Sequence, residues 1–288
     1  MHTIETILTH PGGAHKDEFL ACCVVLAIRP VPIVRREPTA ADLADPTIGI
    51  LDVGHAHEPE QNNFDHHQLP KDHPPTCSLS LVLQHLGLYE DARQFCEWLE
   101  PAEWFDTRGP IETAKWLGVE RDILNLLNSP IDITLLRRFA LAVRLEPGDA
   151  IWEVMRMIGE DMVNYVKSLR TRLDFIGEQS EIWTLDLPSG PAQILFLPRT
   201  EPLPEEPSQG LDQYLQSQGL TDQIVATVYP DRRNVGYGLS RFRDNPRVDF
   251  TLIKDEPEVH FAHARGFMAK TSTTDIARLK ELVTRAAV

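Results

Sequence analysis

The sequence predicts an α/β protein with a doubly wound, mainly parallel sheet domain, a helical linker and a smaller α+β domain. Over the first 110 residues, short apolar runs alternate with helical patterns, as in strand–helix–strand units. Helical spacing then continues from about Ile111 to Ile176, and strand patterns follow Gly177. We therefore place a catalytic-type domain at 1–145, a connecting helix at 146–177 and a second domain at 178–288.

The first domain contains three strand candidates, which are Ile4–Leu8, Val31–Val34 and Ile48–Val53. Between the first two, Asp17–Ile28 has the apolar pattern of a helix that ends at Pro30. A second helix, roughly Ser78–His85, is closed by Gly87. In parallel sheets of this kind, ligands collect at the carboxyl ends of the strands.

The second domain has five strand candidates, which are Ile182–Leu187, Gln193–Leu197, Ile224–Tyr229, Val235–Leu239 and Val248–Ile253. The residues Ser272-Thr273-Thr274-Asp275 form a capping-box pattern. This pattern predicts a last helix at Asp275–Ala286.

Composition excludes some functions. With 28 Lys and Arg against 43 Asp and Glu, the net charge is −15, whereas nonspecific duplex binders are usually basic. No run of about 18 apolar residues predicts a membrane span, and no basic leader segment precedes the first strand. The four cysteines form neither a C-x-x-C pair nor a disulfide framework. We expect a reduced, cytoplasmic setting without a membrane partner.

The histidines are concentrated near the start of the chain. Eight of the eleven lie in the first 73 residues, and these are His2, His10, His15, His55, His57, His66, His67 and His73. Such clustering predicts one site assembled from several loops.

Four stretches contain metal-ligating residue types, and three of them lie at predicted strand exits. Thr9–Glu18 offers two imidazoles and a carboxylate on a glycine-containing turn, and Asp52 ends an apolar strand. A carboxylate buried there needs an ion pair or a cation. The loop Asp65–His67 could ligate a metal, hold a phosphate or form a polar turn, and Asp106 is another acid in an apolar setting before a turn.

Mixed His and Asp ligands suit Mn²⁺, Fe²⁺, Co²⁺ or Zn²⁺. Six such ligands are enough for two metals that share a bridging aspartate. Two metals roughly 3.5–4 Å apart can activate water near neutral pH and clamp an in-line phosphoryl displacement.

Together, the H-P-G-G-A-H-K-D-E stretch, the I-L-D-V-G strand end and the F-D-H-H-Q loop resemble the DHH phosphoesterase superfamily. This superfamily includes RecJ-type nucleases and family II inorganic pyrophosphatases. The first motif and Gln68 resemble the "melanocyte proliferating gene one" (MYG-one-like) family, described as 3′–5′ RNA exonucleases. Val259–Phe267 is similar to the C-terminal F-x-H-x-x-G-F signature of that family.

The resemblance implies six metal ligands, with Asp52 as the bridge. They are His10, His15, Asp17, Asp52, His66 and Asp106. It places His67 at the scissile phosphate as donor or acid, with Asp65 orienting an imidazole. His263 would reach the substrate from the second domain, together with Arg247, Arg265 and Gly266.

The chain departs from the superfamily pattern at two positions. His15 stands where much of the superfamily has an aspartate, which shifts the site toward nitrogen donors. The fourth motif reads D-T-R-G around Asp106, where the closest family usually has D-N-G.

Three functions stay open. The first is a phosphodiesterase with 3′–5′ exonuclease-like activity on RNA ends or short oligonucleotides, using two divalent ions, with Mn²⁺ as first choice. The second is a phosphatase or pyrophosphatase for a small metabolite such as a nucleotide. The third is a noncatalytic ligand-sensing module. The sequence leaves open whether the chain forms a homodimer.

Overall fold

The structure is a computed structural model that describes residue 1 and residues 3–288. His2, one of the clustered histidines, lies outside the described residues. The described chain divides into two compact units, Met1–Ser168 and Leu169–Val288, and each contains a six-stranded sheet. The fold is therefore mixed α/β, as the sequence predicts.

The sheet of the first unit has parallel strands at its centre and antiparallel strands at its edges. In chain order its strands are β1 (Thr6–Thr9), β2 (Ile33–Arg35), β3 (Ile48–Leu51), β4 (His57–Glu58), β5 (Asn63–Phe64) and β6 (Arg144–Leu145). The spatial order is β4-β5-β3-β1-β2-β6. β1 is parallel to β2 and β3, and β3 is parallel to β5, whereas β4 and β6 are antiparallel. The carboxyl ends of β1, β3 and β5 thus lie at one sheet edge.

Eight helices accompany this sheet in the described residues. They are α1 (Lys16–Ile28), α2 (Ala40–Leu43), α3 (Ser78–His85), α4 (Tyr89–Phe95), α5 (Leu99–Leu117), α6 (Arg121–Leu126), α7 (Pro130–Ala140) and α8 (Ala150–Gln179). The division between the two units falls within α8.

Helix α1 is the central helix of the first unit. Its sequence is apolar on almost every side, and nine of its thirteen residues are buried, as expected for a helix surrounded by other elements. Cys22 and Cys23 belong to this core. Helix α8 passes so close that a Cβ on Gly159 would lie 1.8 Å from the carbonyl oxygen of Cys23. This packing fixes the position of α1. The first turn of α1 directly follows the loop that contains Gly12 and Gly13.

The second unit has a sheet with one parallel pair, β8 and β9. Its strands are β7 (Glu181–Leu187), β8 (Gly190–Phe196), β9 (Ile224–Pro230), β10 (Tyr237–Arg241), β11 (Val259–Ala262) and β12 (Met268–Thr271). The order is β11-β12-β10-β9-β8-β7. Helices α9 (Leu211–Ser217) and α10 (Ile276–Arg285) complete the unit.

The predicted strand at Val248–Ile253 is wrong. Val248 forms only an isolated bridge to Ala287, and Phe250–Ile253 is a 3₁₀ turn. The cause is Asp249, whose Oδ1 accepts hydrogen bonds from the backbone N of Thr251 at 2.9 Å and its Oγ1 at 2.6 Å. Such local side-chain bonds compete with sheet pairing.

The last helix begins as the capping pattern indicates, with Asp275 as its N-cap. The Asp275 side chain accepts a hydrogen bond from the backbone N of Ala277 at 2.9 Å. Among the described residues, no helix has both the length and the apolar character that a membrane crossing requires.

Candidate metal centre

Three parallel strands deliver the candidate ligands to the same edge of the first sheet. His10 follows β1, Asp52 follows β3, and Asp65 and His66 follow β5. Asp52 has a φ of 57°, a left-handed conformation that few non-glycine residues adopt. Strained backbone of this kind is frequent at functional sites.

The centre of the site is a triad formed by His66, Asp52 and Asp106. The Nε2 atom of His66 lies 3.0 Å from Asp52 Oδ1 and 3.0 Å from Asp106 Oδ2. All three atoms are buried, yet none has a hydrogen-bond partner of good geometry in the described structure. Buried polar atoms are rarely left in this state, so their convergence is the arrangement expected of ligands around a cation.

Asp106 enters the triad from helix α5, which the sequence did not predict at this position. The helix runs through Asp106 and is interrupted at Gly109, where φ is 74°. The turn predicted after Asp106 is thus a break inside a longer helical segment, which Pro110 continues as the first residue of the next turn.

The first motif presents His10 with its Nε2 directed toward two carboxylates. Its Nδ1 donates to the carbonyl of Pro11 at 3.0 Å, so Nδ1 carries a proton. Its Nε2 lies 3.2 Å from Glu18 Oε1 and 3.6 Å from Asp52 Oδ2. Ligand atoms of His10, His15, Glu18 and Asp52 all lie within 4.8 Å of one another.

Asp17 lies on the other side of the site, grouped with His15 and Asp106 within the same 4.8 Å limit. It is almost fully buried, and neither carboxylate oxygen has a hydrogen-bond partner of good geometry. Burial and the charges of Asp52 and Asp106 raise the pKa of Asp17 well above its ordinary value. The site therefore holds more negative charge than its own hydrogen bonds can stabilise.

The pKa values of two imidazoles are raised as well, which favours the charged form of a histidine. The Glu18 carboxylate, 3.2 Å from Nε2, raises the pKa of His10 to about 9. Burial lowers the pKa of His66, but the close approach of the Asp106 and Asp52 carboxylates outweighs it and raises that pKa to about 10. Without a cation, these two histidines are protonated at neutral pH and supply the positive charge of the site.

Asp65 and His67 form a separate pair beside the triad. Oδ1 of Asp65 accepts His67 Nδ1 at 2.7 Å and the His67 backbone N at 3.0 Å, while Oδ2 accepts the backbone N of His55 at 2.6 Å. Burial opposes ionisation, but these bonds lower the pKa of Asp65 to about 2. A buried, ionised Asp65 therefore fixes the ring of the half-exposed His67.

The sequence alone did not identify two buried residues of the candidate site, Glu18 and Arg35. Glu18 is fully buried, and its Oε2 accepts the backbone N of His15 at 2.7 Å. Its spacing from His15 matches a capping box, which indicates the start of a helix but neither the burial of Glu18 nor its place in the site. Arg35 is also buried and donates to the carbonyls of Gly12 at 3.2 Å and Gly13 at 3.0 Å, so it fixes the first loop. No pattern around Arg35 indicates this role.

These residues fit divalent cations. The site combines nitrogen and carboxylate donors, which suits Mn²⁺, Fe²⁺, Co²⁺ or Zn²⁺. Buried ligand atoms without hydrogen bonds are found on Asp17, Glu18, Asp52, His66 and Asp106. The described structure therefore contains side chains that could bind metal ions where the sequence places them.

The second unit contains the remaining candidate residues. His263, Arg265 and Gly266 lie in the turn between β11 and β12, where His263 Nδ1 accepts the backbone N of Arg265 at 3.2 Å. The His263 ring packs on Phe267, with centroids 3.9 Å apart. Arg247 already donates to Ser189 Oγ at 3.1 Å and to the carbonyls of Gly190 and Pro191.

Among solved structures, the chain is similar to a pGpG-specific phosphodiesterase, PggH, from Vibrio cholerae. The two share 14% sequence identity, and the match covers 99% of this chain and 98% of that one with a TM-score of 0.34. A superposition this poor supports no inference about activity. No curated protein matches the chain.

A family model gives a more specific result. The model named MYG1_exonuc, described as "Uncharacterised protein family (UPF0160)", matches residues 6–87. This segment includes His10, His15, Asp17, Asp52 and His66, whereas Asp106 lies outside it. Over residues 6–87, the model therefore confirms the resemblance of this chain to the MYG-one-like family.

Proposed function

We propose that the protein is a divalent-metal-dependent phosphoesterase that hydrolyses phosphodiester bonds, with 3′–5′ exonuclease-like activity on RNA or short oligonucleotides. The observation that carries the proposal is the triad of His66, Asp52 and Asp106, whose buried atoms meet at 3.0 Å without hydrogen bonds. The exonuclease name of the matching family model supports the reaction class.

Two cations would be held by overlapping ligand sets. His10, His15 and Asp52 would bind one, and Asp17, Asp52, His66 and Asp106 would bind the other, with Asp52 shared. When bound, such ions neutralise phosphate charge and increase the acidity of water. Arg35 would keep the loop that carries His10 and His15 in position through its bonds to Gly12 and Gly13.

His67 is the proposed general acid. Its hydrogen bond to Asp65 raises its pKa, so more of the imidazole carries a proton near neutral pH. Because the ring is half-exposed beside the triad, it can donate that proton to the leaving oxygen of a phosphodiester. Asp65 acts through His67 by fixing its orientation.

The second unit is proposed to bind the substrate. His263 and Arg265 share a turn that holds Gly266 at a φ of 69°, and a Cβ at Gly266 would lie 1.9 Å from Asp249 Oδ1. Only glycine fits there, so the turn has a defined shape that can present backbone and cationic groups to phosphate. Arg247 has other partners and would have to exchange them to contribute.

A small phosphorylated metabolite is the alternative substrate. The net charge of −15 favours it, because a long polyanion is repelled by an acidic protein. A noncatalytic ligand-sensing module is the remaining alternative, and it would require that divalent ions fail to bind or fail to support hydrolysis.

The test is hydrolysis of 5′- and 3′-labelled oligonucleotides by the purified protein with Mn²⁺, beside a panel of nucleotides and phosphate esters. We expect stepwise shortening from the 3′ end, and loss of at least about a hundredfold in activity for Asp52→Asn. Asp42→Asn is the matched control, since Asp42 is a buried, ion-paired aspartate of the same unit. Intact oligonucleotides with hydrolysed small esters would select the metabolite alternative.

A further inference from the structure

Residues 111–143 form the most exposed apolar part of the described chain, and we call them the exposed segment. They contain eleven of the twenty-one large apolar side chains that are exposed in the described residues. Leu126 is 79% exposed, Leu127 75% and Ile131 69%, and no residue of helix α6 is buried. Concentrated apolar exposure within one segment is typical of an interaction surface.

We propose that the exposed segment binds the same segment of a second copy of this chain and forms a symmetric homodimer. The first observation that supports this proposal is the net charge of the exposed segment. The segment contains four acids and four bases, so it is neutral, whereas the rest of the chain carries 39 acids and 24 bases. The rest of the chain is negative on average, so contact through the neutral segment adds less repulsion than contact through an average part of the remaining surface.

Helix α7 is also self-complementary. Asp132 lies near its N-terminal end, where its Oδ2 accepts a hydrogen bond from Lys16 Nζ at 2.8 Å, and Arg137 and Arg138 are exposed near its C-terminal end. If two copies of α7 pack antiparallel about a twofold axis, Asp132 of each copy faces the arginines of the other. A twofold interface requires this reciprocity. The acidic end and the basic end also complement the helix dipole.

The exposed segment also lies beside a hollow in which apolar side chains of a second copy could be buried. Beyond α7, an open hollow of about 590 Å³ is lined by apolar residues that include Leu141, Leu145, Ile151 and Val154, together with the charged residues Arg138 and Asp149. Leucines that project from α6 of a second copy have the chemistry to fill it. A lipid surface is a weaker fit, because membrane-binding faces are rich in Lys and Arg and the chain is strongly acidic.

Sedimentation velocity of the full chain with Mn²⁺, over a wide range of concentration, tests the proposal. We expect a dimer for the natural sequence and a monomer for Ile131→Glu and Leu126→Glu. Ile131 and Ile276 both lie in the first turn of a helix and both are exposed. Ile276→Glu is therefore the matched control and should remain dimeric.

Circular dichroism and Mn²⁺ affinity should be the same for both variants as for the natural sequence, which excludes misfolding as the cause of a monomer. A natural sequence that sediments as a monomer at every concentration overturns the proposal, as does an Ile131→Glu variant that stays dimeric. A monomer that floats with anionic lipid vesicles would assign the face to a membrane instead, and would also overturn it.

Discussion

At the scale of single residues, Asp17 shows most clearly the conflict between the stability of the metal-free protein and the binding of a metal ion. Its carboxylate is buried beside Asp52 and Asp106, and burial together with these charges raises its pKa. A group whose pKa is raised on folding contributes stability below its unfolded pKa of about 3.9, and loses that contribution as the pH rises through its folded value. The metal-free protein is therefore destabilised at neutral pH by the residue that would bind metal.

Asp17→Asn should stabilise the metal-free protein and weaken metal binding. The neutral amide removes the repulsion and can donate to Asp106, so we expect a gain on the order of 1 kcal/mol in the free energy of unfolding at pH 8. Urea denaturation in a chelator measures the gain, and it should shrink toward pH 4. Lower stability of the variant at pH 8 would show that Asp17 is not a strained ligand.

Proton release should accompany metal binding. The pKa values of about 9 for His10 and about 10 for His66 mean that both imidazoles are protonated at pH 7 and must lose protons to ligate. Mn²⁺ affinity should therefore rise with pH from 6 to 9. Calorimetry in buffers of different ionisation enthalpy counts the protons. An affinity that is independent of pH would contradict this assignment.

Most of the candidate site could be predicted from residue types at strand ends, but Glu18 could not be separated from its neighbour. Lys16, Asp17 and Glu18 read as one polar run at the start of a helix, and only the tertiary packing shows that both acids are buried. Arg35 ends a strand that also reads as ordinary, since its partners are carbonyls that no sequence pattern identifies.

At the scale of elements, the central parallel strands and long helices were predictable because their apolar periodicity is strong. Helix α3 was predicted at its observed bounds, Ser78–His85. The two-residue strands β4, β5 and β6 were not, because so short a segment carries no period. The segment Val248–Ile253 alternates like a strand, but the hydrogen bonds of Asp249 turn it into a 3₁₀ turn.

The contact between α1 and α8 gives a test of the packing that supports the site. Gly159→Ala places a Cβ against the backbone of Cys23, so the helices must separate, at a cost of about 1–3 kcal/mol in unfolding free energy. Mn²⁺ affinity should fall as well, because α1 carries Asp17.

Gly177→Ala is the matched control on the same helix. Its Cβ would meet Tyr214 at 3.4 Å, an ordinary contact, and alanine favours helix by up to about 1 kcal/mol over glycine. Urea denaturation compares the two variants. Equal stabilities would mean that the helices do not touch as described.

At the scale of the whole molecule, the net charge of −15 should affect how polyanions approach. The Debye length falls from about 30 Å at 0.01 M salt to about 8 Å at 0.15 M, so salt screens long-range repulsion. For long oligonucleotides, kcat/KM should therefore rise over this range, whereas for dinucleotides it should change little. A steep fall with salt, typical of basic nucleic-acid binders, would reveal a cationic groove.

The central claim is that side chains from separate loops of the first unit enclose a pair of divalent ions. Anomalous diffraction from crystals grown with Mn²⁺ tests it most directly. We expect two peaks roughly 3.5–4 Å apart, with Asp52 in contact with both and His66 and Asp106 on the same ion. Density with no ion between these three residues, under conditions in which Mn²⁺ supports hydrolysis, would contradict it.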